Sequence, residues 1–337
     1  MTTISNRIET FLIDNKDIKT SSEKTNVVKT NDSISSNLSI KDNFDNKNLK
    51  QGNIKTEINF LNSESKTDSK NGIWIWNTND IPKSDKDLDS FLKLASKKGI
   101  NNLYVNGHPS ITNKSDIESF KKLVIKASEN NVKIEVLLGN PEWVNDPKQE
   151  KVFKEKYLNS FIDFWKDCPE NSKPNLHLDI EPHCLPEWKN NKNELMEKTI
   201  SLYSDVNKIL EKSGVKSQVS ADIPHWWDDF KMKNGKSAFE NISEKVSSVA
   251  IMAYGENSQK VNNFVKDELS SPQNKKLITA IETDGLKLVG WDNNDKEIKG
   301  SDLKKSFLEI NKTSKNISIH PRPNTDLLKM ISSLPDN

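Results

Sequence analysis

The sequence has few cysteines and few histidines, its charges balance, and it lacks any long apolar run. The two cysteines among 337 residues, Cys168 and Cys184, exclude a disulfide scaffold and do not have the spacing of a metal site. Fifty basic residues against 49 acidic ones leave a net charge of +1, which argues against nucleic acid or an anionic membrane as the partner. No stretch approaches the roughly 20 apolar residues that span a bilayer.

Residues 1–70 differ in composition from the rest of the chain. They contain 18 apolar residues, one glycine and no alanine, proline, tryptophan or cysteine. So few apolar groups cannot offset the chain entropy lost on folding, about 1–2 kcal/mol per residue, and we expect a disordered leader here. No export signal is recognisable, since the longest apolar run is Phe11–Ile13. We therefore expect a soluble protein, cytoplasmic by default, with export outside the Sec route left open.

From residue 71 to residue 337, short apolar runs alternate with stretches in which the apolar residues are spaced as on one face of an α-helix. Eight such units fit the roughly 250 residues of a (β/α)8 barrel, and alternation of this kind predicts a parallel sheet. We therefore predict a single α/β domain, a (β/α)8 TIM barrel, at 71–337. A doubly wound open sheet is the alternative, but no Gly-rich phosphate motif follows an early strand, and we predict no cofactor. The predicted strands are Ile73–Trp76, Asn102–Val105, Val132–Leu138, Leu176–Ile180, Ser217–Ile223, Val246–Met252, Leu277–Glu282 and Ile317–His320.

Polar side chains share one face of several predicted strands and continue past the strand ends. In the fourth strand His177, Asp179 and Glu181 alternate with apolar residues, so they share the face that lines the barrel. Barrel enzymes carry their chemistry at the C-terminal ends of the strands. The catalytic candidates at these ends are Glu181, Asp179, Glu282, Tyr254 and Asp222.

The five histidines and most of the eight tryptophans also fall in strands or in the loops that follow them. Flat aromatic faces stack on sugar rings, while carboxylate, amide and imidazole groups bind hydroxyls. This composition favours a carbohydrate ligand, with no predicted metal. The substrate-binding candidates are Trp76, Asn106, Glu142, Trp143, His177, His183, His225, Trp226, Trp227, Asp284 and His320.

Glycoside hydrolysis requires one protonated and one ionised carboxyl group, and Glu181 is the best candidate for the acid. Asp179, on the same strand face, could raise the pKa of Glu181 by like-charge repulsion. The residues leave the second carboxylate open between Glu282 on the seventh strand and Asp222 on the fifth. A barrel that binds carbohydrate without catalysis is one alternative. Another is a metal-dependent hydrolase that uses ligands from His177, Asp179, Glu181, His183 and His320.

The stretch Leu176–Pro182 resembles the sequence patterns of two groups of glycosidases. A Glu-Pro pair ending strand four, with a second glutamate ending strand seven, resembles the clan A retaining glycosidases, which implies Glu181 as acid/base and Glu282 as nucleophile. Ile180 stands where that clan usually has asparagine. The Asp-x-Glu pair with Met252–Tyr254 resembles family 18 chitinases, which implies roles for Glu181, Asp179 and Tyr254. His177 stands where that pattern has a further aspartate.

Residues 72–323 as a whole resemble a poorly characterised group of bacterial glycosidase-like barrel proteins. This resemblance implies the barrel fold and a carbohydrate ligand, without naming a substrate. The segments that carry it are Gly72–Trp76, Gly139–Trp143, His177–Trp188, Ala221–Asp228, Val249–Tyr254, Ala280–Asp284 and Ile317–Pro321.

Overall fold

The computed structural model describes residues 71–292 and 296–336, so the predicted leader at 1–70 lies outside the described residues. The strands of the described part are β1 (Asn71–Ile75), β2 (Ile100–Asn106), β3 (Lys133–Leu138), β4 (Asn175–Leu178), β5 (Val219–Pro224), β6 (Ser248–Met252), β7 (Leu277–Asp284), β8 (Lys287–Trp291), β9 (Glu297–Asp302) and β10 (Ile317–Pro321). Strands β1 to β7 pair in sequence order, all parallel, and β10 pairs with both β1 and β7. Eight parallel strands therefore close into a barrel, which confirms the predicted fold class.

Helices follow each of the eight barrel strands, as the alternation predicted. Their bounds are α1 (Asp85–Lys97), α2 (Gly107–Ser110), α3 (Lys114–Glu129), α4 (Pro147–Val152), α5 (Asn159–Asp167), α6 (Trp188–Lys212), α7 (Ala238–Ser243), α8 (Ser258–Phe264), α9 (Lys266–Leu269), α10 (Leu303–Ile310) and α11 (Leu327–Ser333). Helices α4 and α5 form one continuous helical stretch, because a π-helical segment at Phe153–Leu158 joins them. No described helix is long and apolar enough to cross a membrane.

Helix α1 illustrates why these segments fold as they do. The Ser84 hydroxyl accepts a hydrogen bond from the Asp87 amide at 3.2 Å and so caps the first turn. Gly99 follows the helix with a φ of +73°, a conformation that a side chain disfavours. The buried residues, which face the sheet, are Leu88, Phe91, Leu92 and Ala95. Their spacing matches one face of an α-helix.

The barrel interior holds a small aromatic cluster of its own. The rings of Trp74 on β1 and Tyr104 on β2 stack at 4.2 Å, and both residues are at most 1% exposed. They pack with Leu137, Ala250, Ile278 and Ala280. The two rings occupy the barrel interior. The rim at the carboxyl ends of the barrel strands, where barrel enzymes carry their active sites, is here called the mouth.

An antiparallel hairpin, absent from the predicted strands, is inserted between β7 and α10. Strand β8 pairs with β7 and with β9, both antiparallel. Gly290 and Gly300 lie against the backbone of Glu256, where a Cβ atom would fall within 2.4 Å and 1.7 Å of Glu256 atoms respectively. The two glycines allow the hairpin to pack on the loop after β6, which places it beside the mouth.

Candidate functional site

Asp179 and Glu181 continue the line of β4 past its last ladder residue, Leu178. The Asp179 amide donates to the Leu138 carbonyl oxygen at 2.9 Å, so Asp179 stays against the end of β3. Gly139 makes this approach possible, because a Cβ atom there would lie 2.3 Å from the Asp179 carbonyl oxygen. From behind, the buried Tyr203 hydroxyl of α6 donates to the Leu178 carbonyl oxygen at 3.2 Å. The carboxyl end of β4 is therefore fixed from both sides.

Glu181 lies at the mouth, with its side chain 17% exposed. Its Oε1 is 3.7 Å from Nε2 of His183, and the Cys184 thiol donates to its Oε2 at 3.9 Å. Within the described residues, no lysine or arginine pairs with Glu181. The ring of His183 lies edge-on to Trp226 and Trp227 at 5.5 Å and 6.0 Å. Glu181 thus lies among an imidazole, a thiol and aromatic rings.

Glu282, near the end of β7, has a different environment and is only 2% exposed. Trp291 on β8 donates its indole N–H to Glu282 Oε2 at 3.3 Å. His320 Nδ1 and Arg322 Nε each lie 3.6 Å from Glu282 Oε1. Arg322 also pairs with Glu297 on β9 at 2.5 Å, and its guanidinium lies 5.1 Å from the centre of the Trp291 ring. A guanidinium so placed stabilises the ionised carboxylate.

His320 connects Glu282 to the aromatic residues of the mouth. The Trp76 indole N–H donates to His320 Nε2 at 2.6 Å, so Nε2 is an acceptor and the neutral ring carries its proton on Nδ1, facing Glu282. The Tyr254 ring lies 5.8 Å from that of His320. Asn106 donates its amide to the Trp76 carbonyl oxygen at 3.1 Å, which ties β2 to this group. Trp76, Tyr254, Glu282 and His320 are therefore brought together.

His177 and Asp222, two of the predicted site residues, are both buried in the barrel interior. His177 is completely buried, with Nε2 2.8 Å from Asp222 Oδ2 and Nδ1 2.7 Å from the Ser220 hydroxyl. The hydroxyl in turn donates to Glu135, whose Oε2 lies 3.4 Å from His177 Nδ1. Burial opposes the imidazolium, but the two carboxylates outweigh it and raise the pKa of His177 to about 10. His177 and Asp222 thus belong to a buried charged network inside the barrel, together with Ser220 and Glu135.

Trp143 and Trp227 also differ from the expectation that they form sugar platforms. Trp143 is 1% exposed and stacks on Phe153 at 4.1 Å, while Trp227 is completely buried. Trp143 packs on Phe153 of the helical stretch that follows it, and Trp227 packs beside His183 and Trp226. Their faces are therefore not available to a ligand in this structure.

The other predicted binding residues are half-buried near the strand ends. Trp226 lies beside His183, whereas the His225 ring packs on Phe264 at 3.9 Å, and burial lowers the pKa of His225. Glu142 accepts a hydrogen bond from Asn145 at 3.3 Å. Asp284 pairs with Lys299 across the hairpin at 2.5 Å. The structure thus divides the predicted site into two groups, one around Glu181 and one around Glu282.

Arg322 and Glu135 take part in the charged groups described above but were not among the predicted site residues. A signal for Arg322 was present, because only two of the 50 basic residues are arginines, Arg7 and Arg322. A planar guanidinium can bridge two carboxylates and stack on a ring, which lysine cannot do. Glu135 had no comparable signal, since its partners come from strands four and five.

A buried carboxyl group outside these groups was also missed. Glu268 on α9 is 1% exposed, and neither carboxyl oxygen has a hydrogen-bond partner in another described residue. Burial, with smaller contributions from the charges of Asp228, Asp267 and Asp229, raises the pKa of Glu268 to about 8. Asp228 directly follows Trp227, so Glu268 lies near the loop that follows β5.

Replacing Glu268 with Gln is expected to stabilise the protein increasingly as the pH rises. Between pH 4.5 and about 8 the folded protein retains a proton that the unfolded chain loses, so wild-type stability falls with rising pH. We expect the variant to gain roughly 2–4 kcal/mol over wild type between pH 5 and pH 8, measured by urea unfolding. Glu309→Gln, at a glutamate whose side chain is 45% exposed, is the control. A pH-independent difference would contradict the assignment.

Comparisons with known proteins give structural neighbours but no sequence relatives. No family model matches the sequence, and no curated protein matches it. A β-1,4-mannanase from the sea hare Aplysia kurodai is similar over 78% of this chain and 91% of its own, with 10% identity and a TM-score of 0.49. A GH18 chitinase from Pseudoalteromonas aurantia is similar over 78% of this chain and 100% of its own, with 13% identity and a TM-score of 0.49.

A spore cortex-lytic enzyme from Bacillus megaterium is similar over 80% of this chain and 76% of its own, with 12% identity and a TM-score of 0.49. The mannanase and the chitinase are glycoside hydrolases by name, and all three similarities are distant. The assignment of the barrel rests on the strand pairing described above.

Proposed function

We propose that the protein is a glycoside hydrolase in which Glu181 is the general acid/base and Glu282 is the ionised second carboxylate. The observation that carries this proposal is the contrast between the two carboxyl environments. Among the described residues, no lysine or arginine pairs with Glu181, whereas Arg322 pairs with Glu282. Glycoside hydrolysis requires one carboxyl group to hold a proton and the other to hold a charge.

The mouth has the composition of a sugar-binding surface. Half-buried indole rings lie beside each carboxyl group, Trp226 near Glu181 and Trp76 and Trp291 near Glu282. Indole faces stack on the apolar faces of sugar rings, and the histidines and carboxylates offer hydrogen bonds to hydroxyl groups. These features support an oligosaccharide or polysaccharide as the substrate.

A second mechanism uses the same acid with different partners. Asp179 precedes Glu181 by two residues, and Tyr254 lies half-buried beside His320. In that case the acetamido group of an N-acetylated sugar would assist cleavage, with Asp179 and Tyr254 orienting it. Glu282 would then stabilise the mouth through Arg322 without taking part in the reaction.

A barrel that binds carbohydrate without catalysis is the second candidate function. The observation that favours it is the low exposure of Glu282, 2%, beneath Trp291, His320 and Arg322. Such a carboxylate would reach a sugar only if the hairpin or the Trp291 ring moved. The aromatic residues of the mouth would bind carbohydrate equally well in a glycoside hydrolase and in a barrel without catalysis.

The Glu181→Gln variant tests the proposal on a panel of β-linked oligosaccharides with and without N-acetyl groups. We expect wild type to release reducing ends, and the variant to lose about 10²–10⁴-fold in kcat because general acid catalysis is removed. Sugar affinity should change little, because glutamine has almost the same shape. Glu187→Gln, an exposed position on the same loop, is the matched control. Binding without turnover by wild type would favour the non-catalytic barrel, and full activity in Glu181→Gln would refute the assignment.

A further inference from the structure

Three side chains of different chemistry converge on the turn that follows β4. Glu181, His183 and Cys184 can each present one donor atom such that all three donors lie within 4.8 Å of one another. Glu181 Oε1 is 3.7 Å from His183 Nε2, and Glu181 Oε2 is 3.9 Å from Cys184 Sγ. Carboxylate, imidazole and thiolate are the three side-chain types that bind zinc in proteins.

These distances are close to the edges of a zinc coordination tetrahedron. Zinc–ligand bonds of about 2.0–2.3 Å place neighbouring ligand atoms roughly 3.3–3.6 Å apart. The two measured distances exceed this range by a few tenths of an ångström, which side-chain rotation can supply. The backbone is already fixed, because the Cys184 amide donates to the Glu181 carbonyl oxygen at 2.9 Å and closes the 3₁₀ turn Pro182–Cys184.

We propose that Glu181, His183 and Cys184 form a binding site for a thiophilic divalent cation of the zinc class. One carboxylate and one thiolate neutralise the two charges of the ion, and the neutral imidazole completes three protein ligands. Three protein ligands leave a fourth position for water, as in zinc sites that are open to solution. Magnesium and calcium are excluded as preferred ions because they select oxygen ligands.

The surroundings of the turn favour a bound ion over a solvated one. The side chains of Glu181 and His183 are 17% and 11% exposed, so an ion can enter while losing most of its water. The rings of Trp188, Trp226 and Trp227 lie 5.5–6.3 Å from the His183 ring and form an apolar wall. A hydrophobic shell of this kind limits solvent access to a metal site.

Occupation of this site would block the proposed acid. A cation bound to the Glu181 carboxylate competes with the proton that a general acid must carry, so zinc would act as a reversible inhibitor. This consequence rests on the proposed glycosidase function, whereas binding of the ion does not. The two are therefore measured separately.

Titration with Co²⁺ under reducing conditions tests the binding. We expect one equivalent of Co²⁺ to produce a thiolate-to-cobalt charge-transfer band in the near ultraviolet, which one equivalent of Zn²⁺ removes. The band should disappear in Cys184→Ser and persist in Cys168→Ser, the matched control, since Cys168 is buried and its pKa is raised to about 11. Absence of the band in wild type, or its loss in Cys168→Ser, would overturn the proposal.

Alkylation of the wild-type protein gives a second measurement that needs no variant. Zn²⁺ should slow the reaction of iodoacetamide with Cys184 more than tenfold, and Mg²⁺ should not. His183→Gln should lower the Zn²⁺ affinity by at least about tenfold. Equal protection by Mg²⁺ and Zn²⁺, or unchanged affinity in His183→Gln, would refute the ligand set.

The inhibition of turnover is a separate measurement. If wild type hydrolyses a glycan, Zn²⁺ should inhibit it, EDTA should reverse the effect, and Cys184→Ser should be at least tenfold less sensitive. A requirement for zinc in turnover would contradict the proposed acid role of Glu181. If no glycan is hydrolysed, the proposed function fails, and the cobalt and alkylation experiments still decide the metal site.

Discussion

Glu282→Gln is expected to reduce kcat for glycan cleavage by roughly 10⁴-fold or more, a larger loss than that of a general acid. A neutral amide can neither attack the anomeric carbon nor stabilise the positive charge that develops there. The effect on kcat should exceed the effect on KM, because the charge matters most in the transition state.

Glu297→Gln is the matched control for this experiment. Glu297 is the other carboxylate partner of Arg322 and lies on the hairpin, so its replacement also disturbs the guanidinium. We expect it to retain activity within a few fold of wild type. Equal losses in the two variants would mean that Glu282 acts only by positioning Arg322.

Azide provides a further test of the role of Glu282. In Glu282→Ala the space left by the carboxylate can admit a small anion, which attacks the anomeric carbon in its place. Recovery of turnover with formation of a glycosyl azide would identify Glu282 as the nucleophile. Full activity in Glu282→Gln would exclude Glu282 from the reaction.

The substrate-assisted mechanism predicts a different pattern of losses. Asp179→Asn and Tyr254→Phe should then reduce kcat strongly on N-acetylated substrates, while Glu282→Gln retains activity. Glu181→Gln is inactive in both cases. Comparing the loss of kcat in Glu282→Gln with the losses in Asp179→Asn and Tyr254→Phe therefore separates the two mechanisms.

The sequence was sufficient to predict the barrel because each unit carries its own local signal. A short apolar run followed by an amphipathic segment defines a strand and a helix, and helix α1 also has a serine cap and a terminal glycine. Eight repeats of this unit in about 266 residues leave little choice of topology. The hairpin β8–β9 was not predicted, because its strands are short and polar and their stability comes from packing on the Glu256 backbone.

The position of each polar residue along the barrel axis could not be read from strand periodicity. Alternation shows that His177, Asp179 and Glu181 share a face, but it does not show which of them lies below the mouth. In the structure His177 is completely buried and Glu181 is accessible. The partner of His177 on β3, Glu135, is 42 residues distant in sequence, so the pairing requires three-dimensional information.

His177→Gln is expected to destabilise the protein by about 3–5 kcal/mol at neutral pH, because it leaves the carboxylates of Asp222 and Glu135 buried without their cation. The pH dependence identifies the cause. Between pH 6.5 and about 10 the folded protein holds a proton on His177 that the unfolded chain has lost, so this stabilisation falls as the pH rises through that range. Urea unfolding at pH 7, 8 and 9 should therefore show the wild-type advantage over His177→Gln shrinking with increasing pH.

A second substitution separates charge from packing in this network. Adding Asp222→Asn to His177→Gln removes one of the two uncompensated carboxylates and should recover part of the lost stability, with the pH dependence reduced. His225→Gln, at a half-buried histidine that packs on Phe264, is the control for loss of an imidazole ring. A loss below about 1 kcal/mol in His177→Gln would show that the network contributes little net stability, as replacement of some buried ion pairs does. An equal loss at pH 7 and pH 9 would instead assign the effect to packing, and the role of His177 would then be to fill the barrel beneath the two carboxyl groups of the mouth.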